Sequence, residues 1–191
     1  MSRKDPPGRQ IDWKRVGVWV GSMAVVAGLT AVVVSGVDPA AGGRPEAPEG
    51  TETVAVEDPI HIPGGVDYPV VPPAGGEHDP TPLACGFYDF VVPDENVVHS
   101  MEHGVVWVTY EPGVSAEELD ILKDIGDARE TIVSLLPDQG SPIIGTAWAA
   151  QIRLDSATDP RLEQFIDAFR DAPSSPEPFA SCTGGAVPSR P

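Results

Sequence analysis

The stretch Val97-Val98-His99-Ser100-Met101-Glu102-His103-Gly104 sets two of the chain's four histidines four residues apart, with a carboxylate next to the second. On a helix such a pair shares one face about 6 Å apart along the axis, close enough for two imidazoles to hold one metal ion. In an extended strand the same pair would lie about 13 Å apart, too far for that. The other two histidines, His61 and His78, precede them in the same part of the chain, so all four are available to converge. His61, His78, His99, His103 and Glu102, with Glu95 as a further carboxylate nearby, would give nitrogen or mixed nitrogen and oxygen donors suited to copper(II), zinc or nickel, copper or zinc being the expected ion. The competing reading is structural: His99 and His103 donate to backbone carbonyls and pin the surrounding loops.

Other chemistries find less support. The order of residues is not H-E-x-x-H, because Glu102 follows His99 by three and precedes His103, which misplaces a general base for that mechanism. Ser100 could in principle be a nucleophile, and Glu95 or Glu102 could pair with a histidine as acid and base, as in a metal-dependent or acid/base hydrolase. Nothing resembles a nucleophile elbow, a phosphate loop or a dinucleotide fingerprint, and no residue is assigned a catalytic role. A third class is an interaction module of a cell envelope. Phe87, Tyr88, Trp107, Tyr110 and Trp148 supply aromatics for a recognition groove, with Trp107 and Tyr110 expected to divide between core and surface.

The elements that must position these residues follow from local signals. Pro93 and Gly104 bracket Glu95–His103, with Asp94 as its cap, and predict a helix of about two and a half turns. Val97-Val98 pull the other way, toward strand. The segment before it, from Pro59 to Asp94, is broken by Pro63-Gly64-Gly65, Pro72-Pro73-Ala74-Gly75-Gly76 and Pro80-Thr81-Pro82, so it must be loop held by side-chain contacts and by Cys85. After it, Gly104–Tyr110 reads as a strand, and Ser115-Ala116-Glu117-Glu118 as a capping box opening an amphipathic helix through Leu119, Leu122, Ile125 and Ala128. Thr131–Leu136 and Pro142–Leu154 read as two more strands. Asp159-Pro160 starts a last helix with Leu162, Phe165, Ile166 and Phe169 on its apolar face. The order predicts an α+β fold, a small antiparallel or mixed sheet with two helices on one face, much like a split βαβ unit.

The histidine-bearing domain, residues 59–185, is one part of a longer plan. Residues 16–37 carry no charged side chain and, at about 1.5 Å per residue, are just long enough to cross a bilayer core of about 30 Å. Arg3, Lys4, Arg9, Lys14 and Arg15 crowd the basic segment 1–15, which predicts a single-pass plasma-membrane protein with a cytoplasmic N-terminus and an exported domain. A cleaved signal peptide is the alternative. Residues 38–58 read as a flexible acidic tether and 186–191 as a disordered tail. The formal net charge is −17, and the part beyond the basic flank is more acidic still, which repels nucleic acid. The expected partners are the membrane, through the N-terminal helix, and an envelope protein. In an oxidising compartment Cys85 and Cys182 are expected to pair, and closing a loop of about a hundred residues would stabilise by up to about 4.7 kcal/mol. Free thiols acting as metal ligands are the other possibility.

The motifs also carry a resemblance. Tyr68-Pro69, Pro72-Pro73-Ala74-Gly75-Gly76-Glu77-His78, Cys85-Gly86-Phe87-Tyr88, Pro93–Gly104, Thr146-Ala147-Trp148, Asp159-Pro160-Arg161, Pro176-Glu177-Pro178 and Cys182-Thr183-Gly184-Gly185 resemble the bacterial family of domain of unknown function 3105, in its actinobacterial form. The resemblance implies that all four histidines and both cysteines fall at motif positions, and it implies no activity. Three residues depart from the pattern. Met101 stands where leucine is expected, which marks it as core rather than as a thioether ligand, and Ala149 and Phe179 stand where glycine is common.

Overall fold

A computed structural model describes residues 43–182 and 184–190. The apolar run 16–37 and its basic flank lie outside them; among the described residues no helix is long and apolar enough to cross a membrane.

A six-stranded mixed sheet forms the frame. β1 is Glu52–Thr53, β2 is Gly86–Tyr88, β3 is Trp107–Tyr110, β4 is Ile132–Leu135, β5 is Ile143–Ala147 and β6 is Ala150–Leu154, arranged in the order β1-β6-β5-β3-β4-β2. The helices are α1, Asp94–Glu102, α2, Ala116–Ala128, and α3, Pro160–Phe169. β3 runs parallel to β4 and antiparallel to β5, and β2 adds to β4 in parallel. The class is α+β. β3 and β4 are direct neighbours joined through α2, so this βαβ unit is not split.

Alternation along the strands divides the core in two. Val106, Val108 and Tyr110 point toward Leu122 and Ile125 of α2 and Leu162, Phe165 and Ile166 of α3. Trp107 and Ile132 point the other way, toward Val97, Val98 and Met101 of α1 and toward Leu83 and Trp148. α2 and α3 thus share one face, while α1 and the proline-rich loops cover the second. This corrects the expected division of Trp107 and Tyr110 between core and surface. Both are buried, on opposite faces, because neither face of β3 is left to solvent.

Local capping chemistry follows the sequence closely for two helices. Ser115 and Glu118 form the capping box of α2, and hydrogen bonds from the Ser115 backbone and from the Ser156 and Ser115 hydroxyls hold the Glu118 carboxyl down at about 2. The Asp159 carboxylate accepts the Arg161 N–H at 2.9 Å at the start of α3. α1 differs, since Pro93 is its N-cap and Asp94 is its first helical residue rather than its cap. Gly104 ends it at φ 93°, where a Cβ would stand 2.8 Å from the Asp171 Cα, so only glycine fits.

Three further expectations change. Pro142–Leu154 is not one strand but the hairpin β5–β6, with Ala147 opposite Ala150 and Trp148-Ala149 as its two-residue turn. No glycine or asparagine marks that turn, so apolar periodicity runs through it unbroken. The stretch read as a flexible tether is tied down from Arg44 onward, where Arg44 donates to the carbonyls of Arg170 and Asp171 at the end of α3 and β1 pairs with β6. An edge strand needs only backbone bonds, which leave no apolar signature. Ala186, assigned to a disordered tail, donates its N–H to Pro82 O at 2.8 Å and accepts from Ala84 N–H at 2.9 Å.

Ala149 and Phe179, the two departures from common glycine, both adopt left-handed backbone, at φ 59° and 75°. A side chain is disfavoured there. Ala149→Gly and Phe179→Gly should each raise stability by about 0.5–1 kcal/mol, or Tm by about 1–4 °C, and a lowered Tm in calorimetry would contradict the strain at that site.

Candidate metal centre

α1 is seated by its buried side. Val97, Val98 and Met101 are fully buried against the Trp107 face of the sheet. Ser100 locks the helix to the preceding loop, donating to Leu83 O at 2.8 Å and accepting Leu83 N–H at 2.9 Å. Both bonds and its burial remove Ser100 as a nucleophile. With that face fixed, His99, Glu102 and His103 turn toward the proline-rich segment.

That segment is held as its composition requires, by side chains reaching its carbonyls. Gln151 donates to Pro72 O at 2.7 Å, the Tyr68 hydroxyl to Glu77 O at 2.7 Å, and Asn96 to Thr81 O at 2.6 Å. Burial and the nearby Glu95, Asp94 and Glu77 carboxylates push the Tyr68 hydroxyl well above its usual range. A short parallel bridge brings His61 and His78 together: Ile62 N–H donates to His78 O at 2.8 Å and His78 N–H to Ile60 O at 3.0 Å.

All four imidazoles meet. The His61 ring stacks on His99 at 4.7 Å between centroids, His78 stands edge-on to both at 4.7 and 5.0 Å, and His103 stands edge-on to His99 at 4.7 Å. Their donor atoms form two groups in which every atom lies within 4.8 Å of the others: His61, His78 and His99, and His99, Glu102 and His103. Glu102 joins the two, since its Oε2 is 3.2 Å from His61 Nε2 and 3.1 Å from His78 Nε2. Donors held at 2.0–2.2 Å by a tetrahedral ion stand about 3.3 Å from one another, so both contacts have ligand-to-ligand length. Glu95 lies outside both groups and accepts Val66 N–H at 2.9 Å.

Hydrogen bonds fix which ring nitrogen is free. His78 Nδ1 lies 2.8 Å from Gly76 O and His99 Nδ1 lies 2.7 Å from Asp79 O. A carbonyl only accepts, so each Nδ1 carries the proton and the neutral ring keeps its lone pair on Nε2. Burial lowers the His99 pKa, as do the neighbouring His103, His78 and His61, against the upward pull of the Asp79 carbonyl. This favours the neutral, ligating form of His99. His103 has its Nε2 3.8 Å from Glu177 Oε2, and its buried Nδ1 has no hydrogen-bond partner among the described residues.

Three parts of this arrangement were not read from sequence. The Gly76 and Asp79 carbonyls orient the rings, but any backbone can supply a carbonyl. Glu177 arrives from a distant segment whose backbone N–H donates to Glu102 O at 3.0 Å. The third was legible: His99-Ser-Met-Glu-His103 has the order H-x-x-E-H, the reverse of the pattern ruled out above and itself a zinc-enzyme helix signature.

Cys85 and Cys182 form a disulfide, with Cα atoms 5.5 Å apart, and no described cysteine is free. Thiolate ligation is thereby excluded, and the bridge ties the Glu177 segment to the front of the domain.

The fold and cluster define a disulfide-bonded α+β domain with four imidazoles around one carboxylate. The family model described as protein of unknown function, DUF3105, matches residues 61–184, and the chain belongs to that family. The matched region starts at His61 and runs past Cys182, so it contains every cluster histidine and both cysteines. Comparison with curated proteins and with solved structures gives no match.

At neutral pH long-range proton–nitrogen NMR should report His99 as a neutral ring with its proton on Nδ1. A proton on Nε2 instead would remove the lone pair from the cluster.

Proposed function

We propose that this domain binds a divalent transition-metal ion, copper(II) or zinc, through Nε2 of His78 and His99 together with His61 and Glu102, with His103 completing the set. One observation carries the reading. His78 Nδ1 already donates to Gly76 O, yet its Nε2 faces a carboxylate oxygen at 3.1 Å in a buried site. Two lone-pair-bearing atoms are set against each other there, and a cation between them turns that contact into two bonds. A second proton on His78 would serve electrostatically, as a buried ion pair. It would leave unexplained the convergence of the His99 Nε2 on the cluster and the His103 Nδ1, which has no hydrogen-bond partner among the described residues. Nitrogen and oxygen donors without sulfur suit copper(II) and zinc rather than copper(I).

The anchor belongs to the same proposal. Residues 16–37 with their basic flank hold the domain outside the plasma membrane, where an envelope protein supplies or receives the ion. The Cys85–Cys182 bridge supports an oxidising compartment.

The H-x-x-E-H order on α1 favours one second reading, a zinc hydrolase with Glu102 as base. In that case Glu102→Gln retains zinc and abolishes hydrolysis of a p-nitrophenyl ester by the zinc-loaded wild type; absence of wild-type turnover removes the reading.

Metal analysis on the purified full chain should find stoichiometric copper or zinc, lost in a His99→Ala/His103→Ala variant whose circular dichroism remains native. A wild type that binds neither ion leaves the histidines as structural ties in an interaction domain.

A further inference from the structure

The five donors differ sharply in their access to solvent. His78 is fully buried, the Glu102 side chain is 4% exposed and His99 is 5% exposed, whereas the His61 side chain is 45% exposed. They also differ in how they are held. His78 and His99 are each tied through Nδ1 to a carbonyl, and Glu102 sits in the last turn of a helix packed on the core. The His61 ring is anchored through Nε2 instead, 3.2 Å from Glu102 Oε2, and its backbone lies on the short bridge to His78 just before Pro63-Gly64-Gly65. Gly64 adopts φ 108° with open space around it, and the neighbouring Ile60 is half exposed.

A buried, pre-oriented ligand set with one exposed member, whose ring meets the set through the same Nε2 that would bind the ion, is built for exchange. Resting on the metal reading above, we propose that His61 is the exchange ligand through which this domain hands its ion to an acceptor protein offering a nitrogen or sulfur donor. The acceptor's donor approaches from the His61 side, its bond to the ion forms as the bond to His61 Nε2 breaks, and the ion stays on His78, His99 and Glu102 until then. No electron changes hands, and the displaced imidazole rotates about its side-chain bonds into the solvent it already faces. The ion is never free, so the transfer rate depends on the acceptor's concentration. A storage site that must first let go of its ion has no such dependence.

The test uses the full chain in detergent micelles, loaded with one equivalent of copper(II), desalted, and mixed in a stopped-flow instrument with rising concentrations of the chelator 4-(2-pyridylazo)resorcinol. The rate of chelate formation should rise in proportion to chelator. His61→Ala should retain its ion through desalting and give it up at least about tenfold faster, the lower end of what perturbing one group around a metal changes. His78→Ala, with native circular dichroism, should lose its ion on desalting. A wild-type rate indifferent to chelator concentration overturns the proposal and leaves metal binding intact, as does His61→Ala losing its ion as completely as His78→Ala. A wild type that keeps no ion after desalting overturns the metal reading itself.

Discussion

The cluster depends on how α1 is seated. Val97, Val98 and Met101 bury one side of a nine-residue helix against Trp107, and Ser100 fastens it to Leu83 at both backbone groups. A helix this short would be marginal alone, so its rotation about its own axis is set by that packing rather than by propensity. The consequence is chemical. With the apolar side committed inward, the i, i+3 and i+4 positions from His99 have one direction left, and His99, Glu102 and His103 point as a unit at the loops that carry His61 and His78. Gly104 then reverses the chain in contact with Asp171, and the next residues enter the central strand.

Placing Glu102 there carries an electrostatic cost that the surrounding groups must offset. A carboxylate almost out of reach of water loses several kcal/mol of hydration unless positive charge or hydrogen bonds replace it. Among the described residues no arginine or lysine is paired with it; the groups within reach are the Nε2 atoms of His61 and His78. The rest of the chain is strongly acidic, so long-range attraction draws cations of any kind to the domain. Selectivity among them must come from the donors, and nitrogen-rich donors prefer transition metals over calcium or magnesium.

Most of the frame was legible in the sequence where side chains decide. The central strand announced itself by β-branched and aromatic residues, α2 by Ser115 and Glu118, and α3 by Asp159-Pro160. The helical spacing of His99 and His103 was favoured by Pro93 and Gly104 against the strand preference of Val97-Val98, and tertiary burial of those two valines settles the contest. What stayed hidden rests on backbone. β1 and β2 pair through N–H and C=O groups in stretches of polar or proline-bounded composition, and the β5–β6 turn is made by Trp148-Ala149 without a turn residue. Of the site, the four histidines and Glu102 stand out in the sequence and the fold brings them together, but the bridge that joins His61 to His78 and the carbonyls that turn the rings have no residue-type signature.

Those carbonyls also change how the two readings of the histidines relate. Donation from Nδ1 to Gly76 O and Asp79 O is what a structural histidine does, and it does pin the loops. The same bonds are what an outer ring of hydrogen bonds does for a metal ligand, since they fix tautomer and orientation. The structural role therefore consumes one nitrogen of each ring and prepares the other, so the readings separate only at the inward-facing atoms. There His103 is informative. Its Nδ1 is buried and has no hydrogen-bond partner among the described residues, a state that costs about 1–3 kcal/mol and that packing alone does not explain. A histidine retained at such a position is accounted for when its lone pair or its proton has an occasional partner. Adjacent to His99 and Glu102, a metal ion is the partner that the proposed function would supply.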